Sequence, residues 1–197
     1  MTSAKHIFEA FRCYLLSYCR HKKPLADITE GKCNDFSSSL NRLFHTTLFP
    51  TDISEERTKF NFALFEESLF RNIELEDLGY LYESLLCRNQ AKKHGIFYTP
   101  ALISKHITSS ALAALSGIDK PSILDPACGS GVFLIQALRE LSVHTHGKDA
   151  GEMLRKQIYG VDLDENAVEL ARLMLLFEVA VISRDISSLP DLSTNII

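Results

Sequence analysis

The 197-residue chain has no C-x-x-C pair, no apolar stretch of membrane-spanning length and no excess of basic residues. Each absence excludes a class. Its five cysteines, Cys13, Cys19, Cys33, Cys87 and Cys128, are odd in number and scattered, which argues against a disulfide framework or a zinc site and suits a reducing, cytoplasmic setting. An N-terminus interrupted by His6, Glu9 and Arg12 is no signal peptide, so the protein is expected to be neither secreted nor held in a membrane. A net charge of −4 counts against a DNA binder that grips its substrate alone, for which a basic stripe is expected. The small clusters Arg20, Lys22, Lys23 and Lys92, Lys93, His94 read as solvated loops. The pair His144 and His146 has no third ligand nearby in sequence and reads the same way.

What is present centres on Ser122 to Phe133, S-I-L-D-P-A-C-G-S-G-V-F. Ser122 to Leu124 suit a short buried parallel strand, and helical apolar periodicity (Val132, Phe133, Ile135, Leu138) begins straight after Gly131. The pattern is strand, glycine turn, helix. Gly129 and Gly131 can take positive φ and bring bare backbone to a ligand at the helix N-terminus, and Ser130 is a candidate cap. Asp125, just before the turn, would repel a phosphate but suits a cationic group, so the turn fits a zwitterion. Other glycine loops are excluded by spacing. The third position of a G-x-G-x-x-G fingerprint is Leu134, and no Lys follows as a P-loop needs.

Ile158 to Asp164, I-Y-G-V-D-L-D, reads as a second strand ending in Asp162, then a helix with Ala167, Leu170, Ala171, Met174 and Leu175. An acid at the tip of such a strand accepts hydrogen bonds from ribose hydroxyls, which makes Asp162 the ribose candidate. Asp164 is the expected N-cap, with Glu165 in the first turn.

D-P-A-C-G-S-G-V-F followed by Y-G-V-D-L-D-E-N-A resembles the cofactor half of adenine-N6 DNA methyltransferases of type I and type IIG restriction-modification systems. Leu78 to Leu86, L-G-Y-L-Y-E-S-L-L, and Gly95 to Pro100, G-I-F-Y-T-P, resemble the segments that precede it there. The blocks span roughly Leu78 to Leu176 in the family's order. The resemblance implies S-adenosyl-L-methionine as cofactor, with Asp125 facing the methionine amine, the backbone from Cys128 to Gly131 its carboxylate, Asp162 the ribose and Leu163 the adenine face; Pro126 lies in the same motif. It also implies that Tyr98, Thr99 and Pro100 fold over the amino-acid end of the cofactor. Independently of it, Thr99 can cap a helix running from Ala101 to Leu115, with Pro100 in its first turn. Cys128 is expected to be structural, because methyl transfer to an amine needs no covalent enzyme intermediate.

Upstream, helices are expected over Ala4–Cys19, Leu40–Phe49, Ile53–Phe70 and Glu74–Cys87, with a polar loop over His21–Ser39 and a basic linker over Arg88–His94. Their aromatics recur at helical spacing and read as core. Between the strand units, Val143–Lys156 reads as a loop with a short helix, and only Glu178 to Ile186 offers a further strand. The expected fold class is α/β: a helical domain over 1–89, then the first part of a Rossmann-like methyltransferase sheet over 90–197. The resembled family holds its flipped adenine with an N-P-P-Y-type tetrapeptide. No N-P or P-P dipeptide occurs here, so catalytic residues are expected outside this chain and the chain alone is expected to be inactive. DNA and specificity or nuclease subunits would then be partners mostly through regions elsewhere. Two alternatives remain at this level: a non-catalytic subunit-docking partner, and a methyltransferase acting on protein or a small molecule.

Overall fold

The computed structural model describes Phe11 and residues 74–87, 99–115, 117–143, 149–184 and 189–197. The expected helices at Ala4–Cys19, Leu40–Phe49 and Ile53–Phe70, the loop and linker between and after them, Tyr98, and the pair His144 and His146 lie outside the described residues, except that Phe11 is helical and buried. The chain divides into two compact units, Met1–Leu78 and Gly79–Ile197. In the first, Asp77 accepts the Glu74 N–H at 2.9 Å.

The elements in chain order are α1 (Leu75–Cys87), α2 (Ala101–Ala114), β1 (Ile123–Asp125), α3 (Val132–Val143), α4 (Ala150–Gln157), β2 (Ile158–Gly160) and α5 (Glu165–Ser183). The two strands are parallel, with Ile123 opposite Ile158, Leu124 opposite Tyr159 and Asp125 opposite Gly160. On its other edge β2 meets Ile196 in a further parallel bridge. There the Gly160 N–H donates to the Asn195 carbonyl at 2.8 Å, and the Ile197 N–H to that of Gly160 at 2.9 Å. Asn195 also locks the strand's start from the side, its amide donating to the carbonyls of Leu154 at 3.0 Å and Ile158 at 2.8 Å.

The side-chain alternation of strands, with period two, sets the faces. Ile158 and Gly160 point into the core formed by α3, α4 and α5, while Leu124 and Tyr159 are exposed on the opposite face. At Gly160 a Cβ would come within 2.6 Å of Leu134 Cδ1 and 3.1 Å of Cys128 Sγ, so side chains of α3 and of the glycine turn pack directly on the backbone of β2. Helix α5 packs on both α3 and α4 and is buried around most of its girth. Its one fully inward acid, Glu178, receives Arg139 of α3 through two parallel 2.9 Å bonds, the fork geometry that compensates a buried carboxylate.

Three sequence expectations are corrected. The strand expected to be buried at Ser122 to Leu124 is not: Ser122 and Leu124 are exposed, because nothing among the described residues covers that face of β1. The strand expected over Glu178 to Ile186 is helix where the structure describes it: α5 continues unbroken to Ser183 and ends at Arg184 in the left-handed conformation, φ 56°, and residues 185 and 186 lie outside the described residues. Nothing from Glu165 to Ser183 is Gly or Pro, and burial against two helices outweighs the strand preference of Val179, Val181 and Ile182. Nor does Thr99 cap α2. Pro100 itself is the cap residue, extended at φ −55° and ψ 142° and without a side-chain cap bond, and its carbonyl accepts from Ile103 at 2.9 Å and Ser104 at 3.1 Å. The helix nevertheless begins at Ala101, as the sequence suggests, and ends at Ala114. Helix α2 packs on α3 with Ser104 and Thr108 turned inward and Ser109 donating to Glu140 at 2.6 Å, so Leu102, Ile103 and Ile107 face outward. The described helices include none long and apolar enough to cross a membrane.

Candidate functional site

The site is built where β1 and β2 end. Asp125 closes β1, and its Oδ1 accepts the Ala127 N–H at 3.1 Å, which turns the chain back toward α3. Gly129 (φ 51°) and Gly131 (φ 88°) make the turn, and the Gly131 N–H donates to the Cys128 carbonyl at 2.8 Å. Both φ values lie where an L side chain is strained, the physical reason for G-x-G here. The Cys128 N–H donates to Val161 at 2.9 Å, sewing the turn to the strand beside it.

Asp162 follows β2 and faces the same turn. Its Oδ2 accepts the Gly129 N–H at 2.8 Å and its Oδ1 the Asp164 N–H at 2.9 Å. A carboxylate has about four acceptor positions, so this fixed group keeps capacity for a ligand's hydroxyls. Asp164 caps α5 as expected, accepting from the Asn166 N–H at 3.0 Å.

Asp125 and Asp162 are thus neighbours on adjacent strand tips. Partial burial pushes the Asp125 carboxyl above the usual carboxylate range, the Ala127 N–H opposes that, and Asp162 adds to it. Ionising Asp125 therefore costs the folded state something: its contribution to stability is fullest below the ordinary carboxylate pKa and is lost as pH rises through the raised value. A bound cation would remove that cost.

Cys128 is buried, and desolvation together with the two carboxylates pushes its thiol up to about 12. It is no nucleophile. Alkylation of the Cys128 peptide at pH 8, followed by mass spectrometry, is expected to run at least about a thousandfold slower in the folded chain than in urea, from the thiolate fraction alone. Comparable rates would show that the thiol is neither buried nor surrounded by negative charge.

The structure brings Asp125, Cys128, Gly129, Gly131 and Asp162 together. Pro126 is exposed beside them, and Leu163 is fully exposed, 102 %. Thr99 and Pro100 stand at the start of α2. Ser130 does not cap α3. Its hydroxyl is buried without a hydrogen-bond partner, and a Cβ placed on Gly79 of α1 would fall 2.3 Å from it. Sequence reasoning missed this contact and a second one from the same helix face, the Tyr82 hydroxyl donating to Asp164 Oδ2. The available signal was a lone glycine inside a helical pattern, which marks a packing reason for the missing side chain. Among the described residues no three of His, Cys, Asp or Glu are grouped to hold a metal.

Parallel strands, helices on one face, and a glycine turn with two carboxylates at the strand ends define an α/β protein of the class that takes ligands at the carboxyl edge of its sheet. The chain belongs to the N-6 DNA methylase family, whose sequence model matches residues 74–188. It is similar to a type I restriction enzyme methylase subunit, MjaIX, of Methanocaldococcus jannaschii: 35% identity over 105 residues, 52% of this chain and 17% of the relative. The type II restriction enzyme and methyltransferase RM.BcgI of Heyndrickxia coagulans is 33% identical over 104 residues, 51% of this chain and 16% of its own length. The adenine-specific methyltransferase PglX of Streptomyces coelicolor is 31% identical over 109 residues, 50% of this chain and 9% of its own. The matches therefore span less than a fifth of each of these relatives. No solved structure matches.

Proposed function

We propose that this chain carries the S-adenosylmethionine-binding part of a DNA adenine-N6 methyltransferase of a restriction-modification system. The carrying observation is the pair of carboxylates, Asp125 and Asp162, set side by side at a glycine turn. Family membership and the restriction-modification relatives supply the reaction class.

The residues present fit the cofactor by charge. Its ammonium is cationic and suits the half-buried Asp125, and its carboxylate suits a helix N-terminus. In this reading Asp125 accepts from the ammonium. The Cys128, Gly129 and Gly131 N–H groups are engaged within the protein, so the Ser130 N–H and the first turn of α3 are the donors we assign to the carboxylate. Asp162 takes the ribose hydroxyls and Leu163 lies against the adenine, with Pro126 in the wall and Tyr98, Thr99 and Pro100 over the amino-acid end. When bound, the cofactor supplies an electrophilic methyl group to an adenine amine. The chain's own part is to orient it and exclude water.

The sheet is then the first part of a Rossmann-like one, 90–197 its domain and 1–89 a helical domain. The target adenine would be held by residues outside this chain, which has no N-P-P-Y-type tetrapeptide. DNA, and specificity or nuclease subunits or domains, would be met largely by those other regions. Calorimetric titration of the purified chain with S-adenosylmethionine tests the reading. One-to-one binding is expected, with no heat from NAD or ATP, whose glycine patterns are not met. A folded chain that takes NAD or ATP instead, or none of the three, overturns it.

A further inference from the structure

Four groups in three segments form one continuous hydrogen-bonded line. The Tyr82 hydroxyl on α1 donates to Asp164 Oδ2. The Asp164 N–H donates to Asp162 Oδ1 at 2.9 Å, while Asp162 Oδ2 accepts the Gly129 N–H at 2.8 Å. One turn earlier on α1, Gly79 admits the buried Ser130 hydroxyl against its Cα, where any side chain would collide. Residues 79 and 82 are three apart, so one face of a single helix touches both loops of the candidate site.

We propose that Tyr82 is a positioning residue for the cofactor site, holding Asp162 through Asp164 and, through Asp162, the glycine turn. The identity of the ligand rests on the function proposed above. The geometry of the line does not. Asp164 already spends Oδ1 on the cap of α5. The Asn166 side-chain amide also donates to Oδ1, at 3.4 Å, so both cap bonds leave the carboxylate free to swing about that one oxygen, and the Tyr82 bond to Oδ2 removes that freedom. An Asp164 fixed in this way presents its own N–H to Asp162 in one direction, so that each Asp162 oxygen is held by one N–H and keeps acceptor capacity for a ligand. The Tyr82 ring is itself buried, 2 % exposed, so the hydroxyl is carried on a rigid base. Two loops that follow different strands thereby share one reference point, and a hydroxyl outside both of them sets their spacing.

Tyr82→Phe keeps the ring and removes only the donor, so the chain is expected to fold, with a cooperative melt as the check. Amide hydrogen exchange of the unliganded full chain comes first. Exchange at Gly129, Asp164 and Asn166 is expected to quicken about tenfold, the order of one hydrogen bond to a carboxylate, with the interiors of α3 and α5 unchanged. Affinity for S-adenosylmethionine is expected to fall by a similar factor. In an Asp164→Ala background Tyr82→Phe should change neither quantity further, a non-additivity that ring packing alone would not produce. Unchanged exchange at Gly129 in Tyr82→Phe, or effects that add fully to those of Asp164→Ala, would overturn the proposal. A wild-type chain that binds no S-adenosylmethionine would instead overturn the functional reading, and the exchange arm would still decide the role of Tyr82.

Discussion

Asp162→Ala is expected to lower affinity for S-adenosylmethionine by two to three orders of magnitude, roughly 3–4 kcal/mol, while leaving a folded chain. Two losses combine. The ribose would lose hydrogen bonds to a carboxylate, each worth about 1.5–3 kcal/mol where the acceptor is charged. The apo site would also lose its brace, since the N–H groups of Gly129 and Asp164 both donate to this one side chain at 2.8 and 2.9 Å. Water can reach a half-buried loop, so the stability cost is smaller, on the order of 1–2 kcal/mol, and a melting curve should show it. Asp162→Asn separates the two losses imperfectly but usefully. Its amide must turn an NH2 toward either Gly129 or Asp164, each of which is itself a donor, so it should bind nearly as poorly as alanine despite its matched shape. Calorimetry on the three chains decides. An asparagine variant with wild-type affinity would mean that Asp162 does not use both oxygens, and an alanine variant with wild-type affinity would remove it from the site altogether.

The placement of these residues was legible in the sequence because strand-tip acids and glycine turns are local. Asp125, Gly129, Gly131, Asp162 and Asp164 each sit within a few residues of the strand or helix that aims them, and the backbone the structure assigns them follows from that spacing. What was not legible depends on contacts distant in sequence. Tyr82 and Asp164 are 82 residues apart, and no periodicity in either segment announces the bond between them. Ser130 looked like a cap because hydroxyls at helix starts commonly are; its burial against Gly79 took it elsewhere. The same holds for Glu178 to Ser183, whose β-branched residues resemble a strand until α3 and α4 are seen to enclose them. Helix α2 turns Ser104, Thr108 and Ser109 toward α3 and leaves Leu102, Ile103 and Ile107 exposed, an arrangement that its own sequence does not announce. In each case tertiary burial decided against local propensity.

The largest stability effect is expected at Gly131, and Gly117 provides its control. Both glycines have positive φ, 88° and 109°, so alanine at either is strained by roughly 1–2 kcal/mol. At Gly117 a Cβ would meet nothing within 4 Å, and strain is the whole cost. At Gly131 it would lie 3.0 Å from Ala171 Cβ and 3.4 Å from Ala171 Cα. Ala171 belongs to the buried middle of α5, so the obstacle is a helix backbone and no side chain can rotate out of the way. Separating α3 from α5 there adds an overpacking cost of about 1–3 kcal/mol. Gly131→Ala is therefore expected to lose about 2–5 kcal/mol in urea unfolding and Gly117→Ala about 1–2. The excess is also chemically addressable. Ala171→Gly alone should destabilise by about 1 kcal/mol as a helix-interior glycine, yet in the Gly131→Ala background it removes the 3.0 Å contact and should cost less or even restore stability. Equal losses at the two glycines, with simple additivity at Ala171, would show that α5 does not press on the turn. The expected inequality would show that the glycine turn is held from behind by α5, at Ala171.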